Sequence, residues 1–346
     1  MKPKLDRNRL IASLISAIVL LIFMFIIIKY RQNATVSFNE TAFVMGTVFQ
    51  MNLSTQDEAD DPSAELVNIG NSLERKTLSW RLDSSEVAAI NAAAGDPEGY
   101  ELSPEMEAIL TECFRISAES DGAFDITLGA LTKLWDIDGW ANGDNKGDFV
   151  PPDKSEIDEA LSNCGYEKLQ IKDHRIYMPE GVSIDLGAVG KGIYLDSCRD
   201  YLSGGDELRG VILAGGSVLT AGEKENGDDW NVGITDPFSD GELIGYIQVG
   251  PWQSVSTSGS YERFVEYEGE RYHHILDPAT GYPAKKGNAS VTIVAKSGLL
   301  SDALSTACFM LDSDAAVSLA KRMGAGICII TDDGLVKGDI ELIHQK

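Results

Sequence analysis

The chain has 346 residues, 24% of them charged, and its 54 acidic against 29 basic side chains leave a net charge of −25. Such a balance repels nucleic acid and bare phosphates, so no nucleic-acid partner is expected, and a phosphorylated ligand would call for a cation. The five cysteines, Cys113, Cys164, Cys198, Cys308 and Cys328, are scattered without CxxC or Cys/His spacing, which argues against a disulfide framework or a zinc module and leaves room for one bridge at most.

Residues 1–9 carry Lys2, Lys4, Arg7 and Arg9 and predict a cytoplasmic N-terminus; residues 10–28, LIASLISAIVLLIFMFIII, hold no charge. At about 1.5 Å per residue this run spans about 28 Å, close to a bilayer core of about 30 Å, and predicts a single transmembrane helix. A cleaved signal peptide is the competing reading, but the run is long for one, and Lys29, Tyr30 and Arg31 stand where small cleavage-site residues would be needed. More basic residues precede the run than follow it, which puts everything after Tyr30 on the extracytoplasmic side of the cell membrane. Six basic residues and one acidic residue fall in the first 31, so the remainder carries 23 against 53, a net of −30.

A polar linker is expected over 32–40, followed by one catalytic-sized domain over 41–346. AFVMGTVFQMNLS (42–54) alternates apolar and polar residues around a glycine, as a strand with a turn or bulge does, and ELVNIGNSLERKTLSW (65–80) has helical spacing. Ser103 precedes PEMEAILTECFRISAES, with proline at the first position and acids in the first turn, the pattern of a capped helix. DGAFDITLGALTKLW (121–135) sets Phe124, Asp125 and Thr127 beside glycines, suited to packing an aromatic against a flat ligand. Trp135 to Asp153, rich in Gly, Asp, Asn and Pro, reads as an exposed loop. From Ile171 onward short apolar runs, GVSIDLG and RGVILAGGSVLTAG among them, predict strands. Helices are expected at 188–202 and at 299–323, the latter broken near Asp312. Strands and helices without strict alternation predict an α+β fold with a largely antiparallel sheet.

Three stretches carry candidate chemistry. DLGAVGKGIYLD (185–196) is a glycine-rich turn entering a helix, a geometry that either cradles phosphate or merely turns the chain; it lacks the P-loop order because Gly192 follows Lys191. In SDALSTA (301–307), Asp302 and Thr306 lie four apart on one helix face, suitable hard oxygen ligands for Mg2+, with plain helix solvation as the alternative. In RYHHILDPATGYP (271–283), His273 and His274 should point to opposite faces of a strand, so one is structural or exposed and the other a candidate base, with an ordinary edge-strand histidine before a turn as the alternative; Asp277 or a nearby backbone carbonyl could fix the tautomer of a base. Spacing does not choose between them. GxSxG and HExxH motifs are absent.

Taken in order, VMGT (44–47), GAFDIT (122–127), LWDIDG (134–139), SIDLGAVGKGIYLD (183–196), LAGGS (213–217), WNVGITDP (230–237), STSGSYERF (256–264), YHHILDPATGYPA (272–284) and SVTIVA…SDALSTA (290–307) resemble the ApbE family of FAD:protein FMN transferases. The resemblance covers about 42–335 and implies an α+β, T-fold-like enzyme outside the cytoplasm. Such an enzyme splits FAD with Mg2+, transfers FMN through a phosphoester to a Thr or Ser of an acceptor flavoprotein, and releases AMP. The implied acceptors are respiratory or extracytoplasmic electron-transfer subunits with a Ser/Thr-Gly-Ala-Thr-like motif. By the same resemblance FAD contacts fall on Met45, Trp80, Ala123, Phe124, Asp125, Asp185 and Lys191. Mg2+ falls on the Ala188 carbonyl, Asp302 and Thr306, and the base on His274, which directly precedes ILDP. Ser217 stands where the family commonly has Asn. FAD pyrophosphatase activity and non-catalytic flavin binding are the competing functions.

Overall fold

The computed structural model describes residues 35–56, 59–204 and 207–344, together with Ile22 and Met24. The expected cytoplasmic segment and membrane span, 1–9 and 10–28, therefore lie outside the described residues but for those two positions. Among the described residues no helix is long and apolar enough to cross a membrane.

The chain enters a hairpin, β1 (Val36–Val44) and β2 (Thr47–Thr55), around Met45 and Gly46, whose φ values are 52° and 70°. Two central residues with positive φ are what a tight hairpin turn requires. The expected linker thus ends earlier than 40. Residues 36–40 alternate Val36 and Phe38 with Ser37, Asn39 and Glu40; their backbone is paired along β2 and Phe38 packs on the core. Next come α1 (Ser63–Leu73), extended by a wider turn over Glu74–Leu78, α2 (Glu86–Ala92), β3 (Tyr100–Glu101) and α3 (Pro104–Glu119), where Ser103 Oγ accepts the Met106 N–H as the capping pattern implied.

The stretch from Trp135 is an exposed loop only in part: residues 142–148 are irregular and mostly exposed, but its start is helical. Helix α4 (Gly129–Trp135) passes into the short α5 (Ile137–Ala141), and α6 (Lys154–Ser162) starts from a capping box at Asp153 and Glu156. Phe149, amid the glycines and acids, is buried against Trp140, Tyr267 and Tyr272, with ring centroids 5.8, 6.4 and 5.7 Å away. One aromatic anchor outweighs the polar composition around it, because burying a ring removes far more apolar surface than turn residues expose.

Strands β4 (Gln170–Lys172) and β5 (Arg175–Tyr177) form a small sheet with β3. The expected GVSIDLG strand is reduced to a bridge between Ser183 and Leu128, with Asp185 N–H donating to Ile126 O. Helix α7 (Gly190–Ser203) follows, then β6 (Arg209–Ala214), β7 (Ser217–Ala221), β8 (Trp230–Thr235), β9 (Leu243–Val249), β10 (Ser254–Gly259), β11 (Phe264–Tyr267), β12 (Glu270–His273) and β13 (Asn288–Ala295). Helix α8 (Gly298–Phe309), helix α9 (Ser313–Arg322), β14 (Gly326–Thr331) and β15 (Val336–Gly338) close the fold. The break between α8 and α9 falls where expected: Asp312 caps α9, accepting the N–H groups of Asp314 and Ala315.

Among the described residues the main sheet has eight strands in the order β1-β2-β6-β7-β10-β13-β14-β15, every neighbouring pair antiparallel. This is the α+β architecture that mixed patterning predicts. Helices α7 and α8 pack on the sheet within the largest apolar cluster, while β8 and β9 cover Val255, Cys328 and Ile330 in a second one. All five cysteines are buried and free, so no bridge forms.

Two glycines set the position of the functional region. A methyl group on Gly192 would stand 2.0 Å from Gly298 O, and one on Gly298 would stand 2.2 Å from Gly192 O. The N-terminal turns of α7 and α8 therefore touch backbone to backbone, and that closeness lets Gly192 N–H reach Asp302 on the second helix at 2.7 Å.

Candidate active site

A cleft of about 1120 Å³, counting the part open to solvent, lies over this helix crossing. Its wall brings together nine of the expected residues: Ala123, Phe124, Asp125, Asp185, Ala188, Lys191, His274, Asp302 and Thr306. Met45 and Trp80 are not part of the wall. Met45 sits at the hairpin tip behind α7, its Cε facing Gly190. Trp80 stacks under the Arg81 guanidinium at 4.1 Å, and it is Arg81 that lines the cleft.

Asp302 is 3% exposed. Its Oδ2 accepts Gly192 N–H and its Oδ1 accepts Ser217 Oγ–H at 2.9 Å, with Lys191 Nζ 3.9 Å from Oδ2. Ser217 therefore holds the carboxylate directly. One turn further along α8, Thr306 Oγ1 lies 3.4 Å from the Asp302 carbonyl and 3.5 Å from Ser258 Oγ. A carboxylate offers about four acceptor sites, and protein donors occupy two here, so each oxygen keeps a lone pair for the cleft. Asp302, Thr306 and the nearby Ala188 carbonyl form a donor set of hard oxygens with one charge, which fits Mg2+ and its preference for few protein ligands, water and phosphate.

The two histidines part company where β12 ends. His273 is buried, its Nε2–H donating to Ala284 O at 2.9 Å and its Nδ1 accepting Ile275 N–H at 3.3 Å, with its ring edge-on to Phe309. Both nitrogens are used, so this ring is structural. His274 lines the cleft, and its Nδ1 lies 3.2 Å from Arg263 O. A carbonyl accepts only, so Nδ1 carries the proton and Nε2 is left with a bare lone pair. Burial and then the Arg263 charge push its pKa down to about 4, while Asp138 pulls the other way, so the ring is neutral at physiological pH. The tautomer is set by this carbonyl and not by Asp277. That carboxylate accepts Ala279 N–H at 2.9 Å and meets Lys286 at 3.1 Å, holding the Pro-Gly turn.

Asp125 is occupied by its own loop: Oδ1 accepts from Thr127 N and Oγ1 at 2.7 and 2.6 Å, and Oδ2 from Tyr166 N at 3.0 Å. It shapes the 123–127 turn, whose Phe124 ring is not offered to a ligand as the sequence suggests but is buried in the main core at 1% exposure. Asp185 accepts Gly187 N–H at 2.8 Å. Burial raises the pKa of both carboxyls.

Other lining residues carry no separate signal in the sequence. Glu262, in SYERF, faces Lys191, Arg263 and Asp302, and burial raises its pKa. Gly215 has a φ of 56°, and a methyl group on it would come 2.6 Å from Thr47 Oγ1, which favours glycine there; one on Gly216 would meet only the movable end of Glu262. Arg263 pairs with Asp138 at 3.0 Å. An acid and a base side by side in SYERF is the one local hint of this; which groups they meet depends on the fold.

An α+β domain with a buried carboxylate at a helix crossing and an oriented neutral imidazole across one cleft is built as an enzyme. The chain belongs to the ApbE family, whose model matches residues 45–330. It is 31% identical over 328 residues to a protein of Treponema pallidum named FAD:protein FMN transferase, covering 89% of this chain and 88% of that one. A Salmonella typhimurium protein of the same name is 30% identical over 240 residues, covering 68% of this chain and 67% of its own. Among solved structures, the ApbE protein of Thermotoga maritima superposes with a TM-score of 0.79 at 34% identity, over 88% of this chain and 97% of that one. The apo flavinyl transferase ApbE of Pseudomonas stutzeri gives 0.72 at 25% identity, over 88% and 95%.

Proposed function

We propose that this protein transfers FMN from FAD to a Thr or Ser hydroxyl of an acceptor flavoprotein in an Mg2+-dependent reaction, releasing AMP. The observation that carries the reading is the cleft itself. It places a neutral imidazole with a free Nε2 in the same wall as Asp302, Thr306 and Lys191. The acceptor hydroxyl oxygen bonds to the FMN-side phosphorus, the phosphoanhydride bond to AMP breaks, and the hydroxyl proton passes to His274 Nε2. Lys191 and the α7 N-terminus face the diphosphate, and Ala123 with the turn around it borders the flat end of the ligand. Asp302, Thr306 and the Ala188 carbonyl would hold Mg2+, which supplies neutralisation of phosphate charge in a domain short of basic residues.

The apolar run at 10–28 is assigned as a single-pass anchor, with the domain from β1 onward on the extracytoplasmic side of the cell membrane. The acceptor is a respiratory or electron-transfer subunit with a Ser/Thr-Gly-Ala-Thr-like segment on that side. Incubation of such a subunit with FAD, Mg2+ and this protein, followed by mass spectrometry, tests the reading. A gain equal to one FMN is expected. Release of free FMN and AMP with an unmodified acceptor would mean a pyrophosphatase, and bound FAD left intact would mean a carrier.

A further inference from the structure

Arg263, in the turn between β10 and β11, is used at both of its ends. Its carbonyl oxygen accepts the backbone N–H of His274 at 3.1 Å and faces the ring Nδ1 at 3.2 Å, while its guanidinium lies 3.0 Å from Asp138 Oδ2. Asp138 belongs to α5, the helix that stands where the sequence suggests loop, and α5 packs on β11. The second carboxylate oxygen, Asp138 Oδ1, is buried without a hydrogen-bond partner, in a residue that lines the cleft.

We propose that the Asp138–Arg263 pair is the positioning element of His274, fixing the peptide that orients its ring and supplying the negative charge that offsets the imidazolium formed in the reaction. The proposal rests on His274 as the base of the proposed transfer. The side chains of the pair are 28% and 38% exposed, so as an ion pair it adds little to stability. What it does is directional. With Asp138 in place, the guanidinium is drawn towards α5 and the Arg263 peptide is pinned between two elements. Without it, Arg263 of the β10–β11 turn and Lys191 of α7 oppose proton uptake by the ring, and the other acid of that turn, Glu262, faces those same two cations and has its pKa raised by burial. Asp138 is the counterweight.

The test uses the full-length chain in detergent, labelled in its histidine rings. His274 is assigned by loss of its signal in His274→Gln and titrated by NMR without FAD, alongside pH profiles of transfer. Asp138→Asn should lower the His274 pKa and Arg263→Gln should raise it, each by on the order of one pH unit. Asp138→Asn should also cut kcat roughly tenfold, the loss seen when an orienting outer partner is removed, with KM for FAD little changed. Asp138→Glu should restore both. Shifts in the same direction for the two variants, or none, would overturn the proposal, since a loosened cleft wall has no reason to move the ring oppositely. Opposite shifts in a protein that transfers no FMN would uphold the positioning pair and sink the functional reading instead.

Discussion

Replacing Gly192 by alanine probes the contact on which the site is built. The added methyl would stand 2.0 Å from Gly298 O and 2.3 Å from Gly298 C. Both are backbone atoms in the first turn of a helix, so no side chain can swing aside. Helices α7 and α8 must separate, and the first bond to stretch is the buried one from Gly192 N–H to Asp302 Oδ2, now 2.7 Å. Overpacking of this kind costs about 1–3 kcal/mol, and losing a hydrogen bond to a buried charged group about 1.5–3, giving about 3–6 kcal/mol together. At about 2 °C per kcal/mol for a domain of this size, Tm should fall by about 6–12 °C.

The assay is thermal unfolding by circular dichroism, with FAD binding measured well below the transition. Gly204→Ala is the control at the opposite end of α7, where the nearest atoms to an added methyl are ordinary contacts at 3.7 and 3.8 Å. It should leave Tm and binding unchanged or slightly raise Tm by reducing the freedom of the unfolded chain. If Gly192→Ala melted within about 1 °C of the wild type and bound FAD normally, the helix crossing would not be the constraint claimed.

His274→Ala should abolish FMN transfer while FAD still binds, and His273→Ala should keep the chemistry but lose stability, by about 1–3 kcal/mol, through its unpaired Ala284 and Ile275 partners. Equal losses of transfer in both would reassign the base. Asp302→Ala should remove turnover and its response to Mg2+ together; an unchanged Mg2+ titration of activity would take Asp302 out of the metal set. His274 is neutral in the native state down to about pH 4, whereas its unfolded pKa is near 6.5. The unfolded chain therefore takes up that proton first, and this contribution, whole above pH 6.5, is lost as pH falls towards 4, by on the order of 3 kcal/mol. Denaturant unfolding of wild type and His274→Gln across that range should show the wild type losing ground, and parallel curves would refute it. The five cysteines should be silent to a thiol reagent in the native state and all react after denaturation, because burial raises each thiol pKa that shifts, Cys113 and Cys198 included; native labelling of any of them would contradict their burial.

Where the chain follows local rules, the sequence shows the element directly. The Ser103 cap, the Met45–Gly46 turn and the Asp312 break are each decided by two or three neighbouring residues, and all three stand where the pattern puts them. The failures are long-range. Phe149 is one ring among glycines and acids, and its burial depends on Tyr267 and Tyr272, more than a hundred residues on. Residues 36–40, where only Val36 and Phe38 are apolar, are strand because β2 pairs with them. In the site, Asp302 and Thr306 are four apart on one helix and can be paired from spacing. Asp138 and Arg263 are 125 positions apart and meet only because α5 packs on β11.

The same distinction explains why composition points to a cation but not to where it goes. A domain at −30 has too few basic groups to meet a diphosphate by charge alone, yet it is not uniformly acidic inside its cleft. Arg81, Lys191 and Arg263 are gathered there with Asp138, Asp185, Glu262 and Asp302. Burial raises the pKa of Asp185 and Glu262, so those carboxyls resist ionisation, whereas Asp302 is given a backbone N–H, a hydroxyl and a lysine. Asp302 is the cleft carboxylate held across the helix crossing, and it shares the cleft wall with Thr306 and Ala188. The fold selects among equivalent-looking acids by the company it gives them, just as it selects between two adjacent histidines by giving one ring two partners and the other a single carbonyl.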